Sequence, residues 1–70
     1  MPIALAPVNE EVTVARINLN GKENARLAAL GLTKDAKVTV LSSTGGAVVI
    51  LIKGSRLALD RVTASRIFVA

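Results

Sequence analysis

The run Ala25-Arg26-Leu27-Ala28-Ala29-Leu30-Gly31-Leu32 constrains the fold of this chain more than any other stretch. It reads as the end of one short helix closed by a glycine. Leu27 and Leu30 lie three apart and so share a helix face. Gly31 stands where a C-terminal cap needs positive φ, which a residue without Cβ adopts at little cost. Leu32 is then the next residue out, expected to fold back onto the last turn near Leu27. Upstream, Asn20 and Glu23 have the spacing of a capping box, weakened by Gly21 just inside the start. A helix of about ten residues does not persist alone in water. It needs a sheet to lie on.

The flanking sequence supplies that sheet. Glu11 to Leu19 reads as a first strand in which Val12 and Val14 alternate with polar neighbours. Ile17 and Leu19 fall on the opposite parity, so the core-facing set changes phase near Ala15-Arg16, as a bulge or a strongly coiled strand would allow. Thr33-Lys34-Asp35 is a polar turn, and Ala36 to Ser42 a second strand with Val38 and Val40 on one face and Leu41 on the other. Ser43-Thr44-Gly45-Gly46 has hairpin composition. Ala47 to Lys53 is a third strand, apolar on both parities, and the expectation is that its second face is covered within the chain. Gly54-Ser55 reads as a two-residue turn into a fourth strand, Arg56 to Asp60. Asp60 or Thr63 is placed to cap one helical turn, although a longer helix from Leu57 to Ile67 stays open on periodicity. Ile67 to Val69 closes the chain as a last strand. Phe68, opposite in parity to its neighbours, can face outward or cover the barrel end; it is expected in the core.

Five short strands and one short helix in 70 residues make a single domain, residues 1–70, mainly β, and suggest a small closed barrel that removes exposed sheet edges. With one aromatic residue and 51% apolar residues, the core is Val, Ile, Leu and Ala. Six apolar residues in a row, Ala47 to Ile52, are too few to cross a bilayer, and no targeting segment stands out. The absence of cysteine fits an intracellular location.

The inventory excludes most chemistry. Without His or Cys the usual general base and the strongest nucleophile are missing. The acids Glu10, Glu11, Glu23, Asp35 and Asp60 show no clustered spacing, so neither a metal site nor a catalytic carboxylate pair is expected, and no cofactor. The net charge of +4 suits an acidic partner or nucleic acid, but the basic residues are dispersed and only Phe68 is available for base stacking. Protein binding is the favoured reading. A groove between helix and sheet, bordered by Leu27, Leu30 and Leu32, is one candidate, though those leucines read first as core. Arg26 and Arg56 are candidates to meet partner carboxylates, and Leu41 with Leu51 to form an apolar patch. Self-association stays open.

Taken together, Arg26-Leu27-Ala28-Ala29-Leu30-Gly31-Leu32, Lys37-Val38-Thr39-Val40, Val49 through Leu59 and Ala64-Ser65-Arg66-Ile67-Phe68-Val69 resemble the ferrous iron transport protein A (FeoA) family over nearly the whole chain. The resemblance implies an SH3-like barrel with the helix inserted after the first strand. It also implies a small cytosolic accessory that contacts a ferrous iron transporter whose (FeoB-like) membrane subunit binds GTP, with no small-molecule substrate of its own. The related SH3-like C-terminal domain of iron-dependent repressors shares much of the pattern and is the alternative, with a nucleic-acid-binding barrel behind it. Two departures stand out: Lys34-Asp35 where such sequences often place Pro-Gly, and Asn9-Glu10 where a glycine is common.

Overall fold

A computed structural model describes all 70 residues. A 3₁₀ turn, Ile3–Leu5, leads into β1 (Glu11–Ile17), α1 (Gly21–Ala29), β2 (Lys37–Thr44), β3 (Ala47–Ile52), β4 (Ser55–Leu59), α2 (Arg61–Ala64) and β5 (Ile67–Val69). The strands form one antiparallel sheet in the order β4-β3-β2-β1-β5, curled as an SH3-like barrel.

β1 is the pivot of this curl. Its first half pairs with β2 and its second half with β5, and the register shifts between Val14 and Arg16. The extra residue is Ala15, where the apolar parity of the sequence changes. A second shift, between Val40 and Ser42, makes Leu41 the extra residue of β2. Leu41 therefore sits at a bulge rather than in a regular strand, and the phase change turns Ser43 inward, where its hydroxyl donates to the Ala4 carbonyl at 2.9 Å.

Both hairpins turn on two residues with positive φ, which matches the twist of the strands. Gly45 and Gly46 make the first, at φ 58° and 88°. The second is Lys53-Gly54, at φ 50° and 81°, not Gly54-Ser55, because Ile52 pairs with Ser55. The two departures from the family pattern fall on left-handed positions as well: Asn9 has φ 65° and Asp35 φ 71°. Asn and Asp are the side chains that tolerate this conformation best, so each replaces a glycine at small cost. Asp35→Gly is accordingly expected to leave the melting temperature nearly unchanged. Asp35→Val should lower stability by about 1–2 kcal/mol, read by denaturant unfolding.

The barrel is not fully closed. β4 and β5 share no ladder. α2 bridges them in sequence and buries Thr63 and Ala64. The far edge of β5 is occupied by the N-terminus: Val69 N–H donates to the Met1 carbonyl at 2.7 Å, and the Met1 ammonium donates back to Val69 at 2.9 Å. The core comprises Ile3, Val12, Val14, Leu27, Leu32, Val38, Val40, Val48, Ile50, Ile52, Leu59, Ile67 and Val69, with Ala6 and Ala64 filling around them. Phe68 is not among them. It lies half-buried on the outer side, with the Arg16 guanidinium 4.7 Å from its ring centre.

α1 ends as the sequence implies. Leu32 N–H donates to Leu27 O and Gly31 N–H to Ala28 O, both at 2.9 Å. This is the Schellman arrangement, with Gly31 at φ 96° and Leu27 and Leu32 both fully buried. The start differs. Asn20 makes no side-chain cap bond. Glu23 turns instead to Arg26, at 3.0 Å, and accepts from the Thr63 hydroxyl at 3.4 Å. Glu23 thus ties α1 to α2, a tertiary use that local spacing does not reveal.

Candidate functional site

The candidate site residues separate into two groups. Leu27 and Leu32 are fully buried and present no surface to a partner. Leu30, at the helix C-cap, is 48% exposed. The groove that does exist beside α1 is therefore lined differently from expectation. Ala15, Arg16 and Ile17 form its β1 side, Asn24 and Ala28 its helix side, and Thr33 and Lys34 complete it. None of the three leucines borders it.

Leu41, Leu51 and Arg56 belong to a separate surface, the outer face of β2–β4. The register aligns Glu11, Thr39, Leu51 and Arg56 in one row across four strands, and Ser42, Val49 and Ala58 in the next. Their neighbours Val12, Val38, Val40, Val48, Ile50 and Ile52 point inward, so alternation turns these rows outward. Leu41, Val49 and Leu51 are only half-buried. The chain does not fully seal the second face of β3, contrary to expectation: Ala47 is exposed, and Val49 and Leu51 are only partly covered. An apolar strip thus runs beside Arg56, which has no carboxylate within 4.0 Å.

Arg26 differs from Arg56 in its electrostatics. It forms the one ion pair of the molecule, with Glu23. The hydrogen bond and charge of Glu23 hold its guanidinium above the ordinary arginine value, and Asp60 adds a smaller attraction. Arg26 is thus already engaged within the chain, while Arg56 is free.

Asp60 caps α2, accepting from Thr63 N–H at 2.7 Å. That bond lowers its pKa below the usual aspartate value, with Arg26 a minor contributor. A depressed folded-state pKa adds stability above the unfolded value, lost as pH falls through the folded one. Asp60→Asn retains a capping side chain but cannot titrate. We expect it to reduce the fall in melting temperature below about pH 4, while Asp60→Ala lowers the melting temperature at neutral pH too.

No group of three or more His, Cys, Asp or Glu side chains is placed to hold a metal ion, and no helix is long and apolar enough to cross a membrane.

Comparison with known proteins agrees with this architecture. The FeoA domain family model matches residues 1–70. A Methanocaldococcus jannaschii protein named "Putative Fe(2+) transport protein A" is 35% identical over 68 residues, covering 97% of this chain and 83% of that one. A crystal structure of an iron uptake regulatory protein (FeoA) superposes with a TM-score of 0.81 at 28% identity, over 99% of this chain and 93% of that one. T. acidophilum IdeR matches at a TM-score of 0.83 and 20% identity, a likeness of fold alone, over 99% of this chain and 32% of that one. The family is associated with transport and is not one of enzymes. The chain belongs to the FeoA domain family.

Proposed function

We propose that this chain is an accessory protein of a ferrous iron uptake system, acting in the cytoplasm by contact with the cytosolic part of the GTP-binding transporter subunit. The observation that carries the reading is the outer face of β2–β4: Leu41, Val49 and Leu51 incompletely buried beside the unpaired Arg56. Apolar area of this kind drives association, and the flanking cation selects a partner surface that bears carboxylates. Iron is the transporter's cargo; the accessory influences its passage by favouring one state of the partner over another. Arg26 on α1 and Leu30 at its C-cap lie outside the strip and contribute less.

The test is a binding titration of the purified chain against the cytosolic part of its host's ferrous iron transporter, at about 0.15 M salt. Saturable binding is expected. Leu41→Ser with Leu51→Ser should weaken it by about tenfold or more while the chain stays folded. Arg56→Glu should weaken it more than Arg26→Glu. Absence of binding, with salt-sensitive binding to DNA or RNA in its place, would overturn the reading. The fold match to IdeR favours a second reading, a domain of the type that iron-dependent repressors carry. That reading predicts no saturable binding to the transporter.

A further inference from the structure

The groove between β1 and α1 is not used by the reading above. It has a volume of about 420 Å³ and two cations, Arg16 and Lys34, in its lining. None of the chain's five acids lines it. Neither cation has a carboxylate within 4.0 Å. Arg16 is held over the Phe68 ring, which orients the guanidinium and leaves its N–H donors unspent.

The backbone beside these cations is unusual too. The β1–β2 ladder ends at the Thr13–Lys37 pair; Val14 N–H still donates to Ala36 O and its carbonyl accepts from Asp35 N–H, both at 2.8 Å, and beyond Val14 the strand continues with β5 alone. Asn18 N–H donates to Arg66 O, so the flanking Asn18–Arg66 pair is hydrogen-bonded to β5. Alternation in an antiparallel ladder then turns the Ile17 N–H and C=O away from β5, to the edge that β2 has vacated. That edge faces the groove. Across it stand Asn24, a neutral hydrogen-bonding side chain, and Ala28, small enough to let another backbone approach.

We propose that this groove takes an extended, acidic polypeptide segment, which pairs its backbone with Ile17 and sets carboxylates on Arg16 and Lys34. Strand addition supplies backbone hydrogen bonds, and the cations select the sequence. A carboxylate segment fits better than a nucleic acid, because no aromatic ring lines the groove and the chain's one ring, Phe68, is already covered by Arg16. The surface is distinct from the β2–β4 strip, and the inference does not rest on the transporter reading.

The test uses the whole chain, labelled with nitrogen-15, and two short capped peptides. One alternates valine with glutamate, the other valine with lysine. The glutamate peptide should shift the amides of Ala15, Arg16, Ile17, Thr33 and Lys34 saturably, and weaken as salt rises. The lysine peptide should leave them in place. Lys34→Glu should lower the affinity several-fold, and Arg16→Glu with Lys34→Glu by about tenfold or more. Lys34 lies exposed in a turn, so its single variant keeps the test readable if losing the Arg16–Phe68 contact impairs folding. Equal binding of both peptides, shifts that map elsewhere, or groove shifts produced by polyuridylate and not by the glutamate peptide would each overturn the proposal.

Discussion

Leu27→Ala should lower the stability of this chain by about 2–5 kcal/mol, the range for a fully buried leucine whose site cannot collapse around the loss. For 70 residues the total is of order 4–10 kcal/mol, so one substitution removes a large share of it. Leu27 is the single buried residue of α1. It holds a nine-residue helix that is too short to persist without packing. It also sits opposite Leu32 in the glycine-capped end, so its loss loosens the entry to β2. The melting temperature should fall by about 10 °C or more. Amide exchange across α1 should quicken more than exchange in β3. A loss below about 1 kcal/mol would show that α1 is anchored by Glu23 and Thr63 instead.

Ile50→Ala should cost a similar amount, about 2–5 kcal/mol. Ile50 is fully buried on an inner strand of the sheet, paired with Val40 on one side and Leu57 on the other. The neighbouring Leu51→Ala, on the outer face, should cost only about 1–1.5 kcal/mol, because its side chain is partly in water and its loss leaves no enclosed cavity. Chemical denaturation of the two variants in parallel checks the assignment of faces. Equal costs would mean that the outer strip is sealed in solution, by self-association for instance, and the contrast should then depend on protein concentration.

Local chemistry made much of this fold legible. The glycine cap needs only Leu27, Gly31 and Leu32 in order, because its hydrogen bonds span six residues. The bulge at Ala15 shows in the sequence because valines precede it and Ile17 and Leu19 follow it on the other parity. The bulge at Leu41 leaves no such trace: Ser42, Ser43 and Thr44 are polar, so their change of face moves no apolar residue. The Lys53-Gly54 turn was obscured by a lysine in a conformation that usually selects glycine or asparagine. Long-range pairings were hidden altogether. Glu23 reaching Thr63 and Met1 pairing with Val69 depend on segments far apart in the chain. The same holds for the candidate surfaces. Leu41, Leu51 and Arg56 could be picked by parity, but the row that joins Leu51 to Arg56 follows from strand order. The groove beside α1 depends on where β2 leaves β1, which no run of residues displays.

The most direct test of the account maps the contact itself, by following the amide spectrum of the labelled chain as the cytosolic part of the transporter is added. The account predicts changes along the outer face of β2–β4, centred on Leu41, Val49, Leu51 and Arg56, with the buried α1 anchor at Leu27 unmoved. An unchanged spectrum at saturating partner, or changes that leave this face untouched, would contradict it.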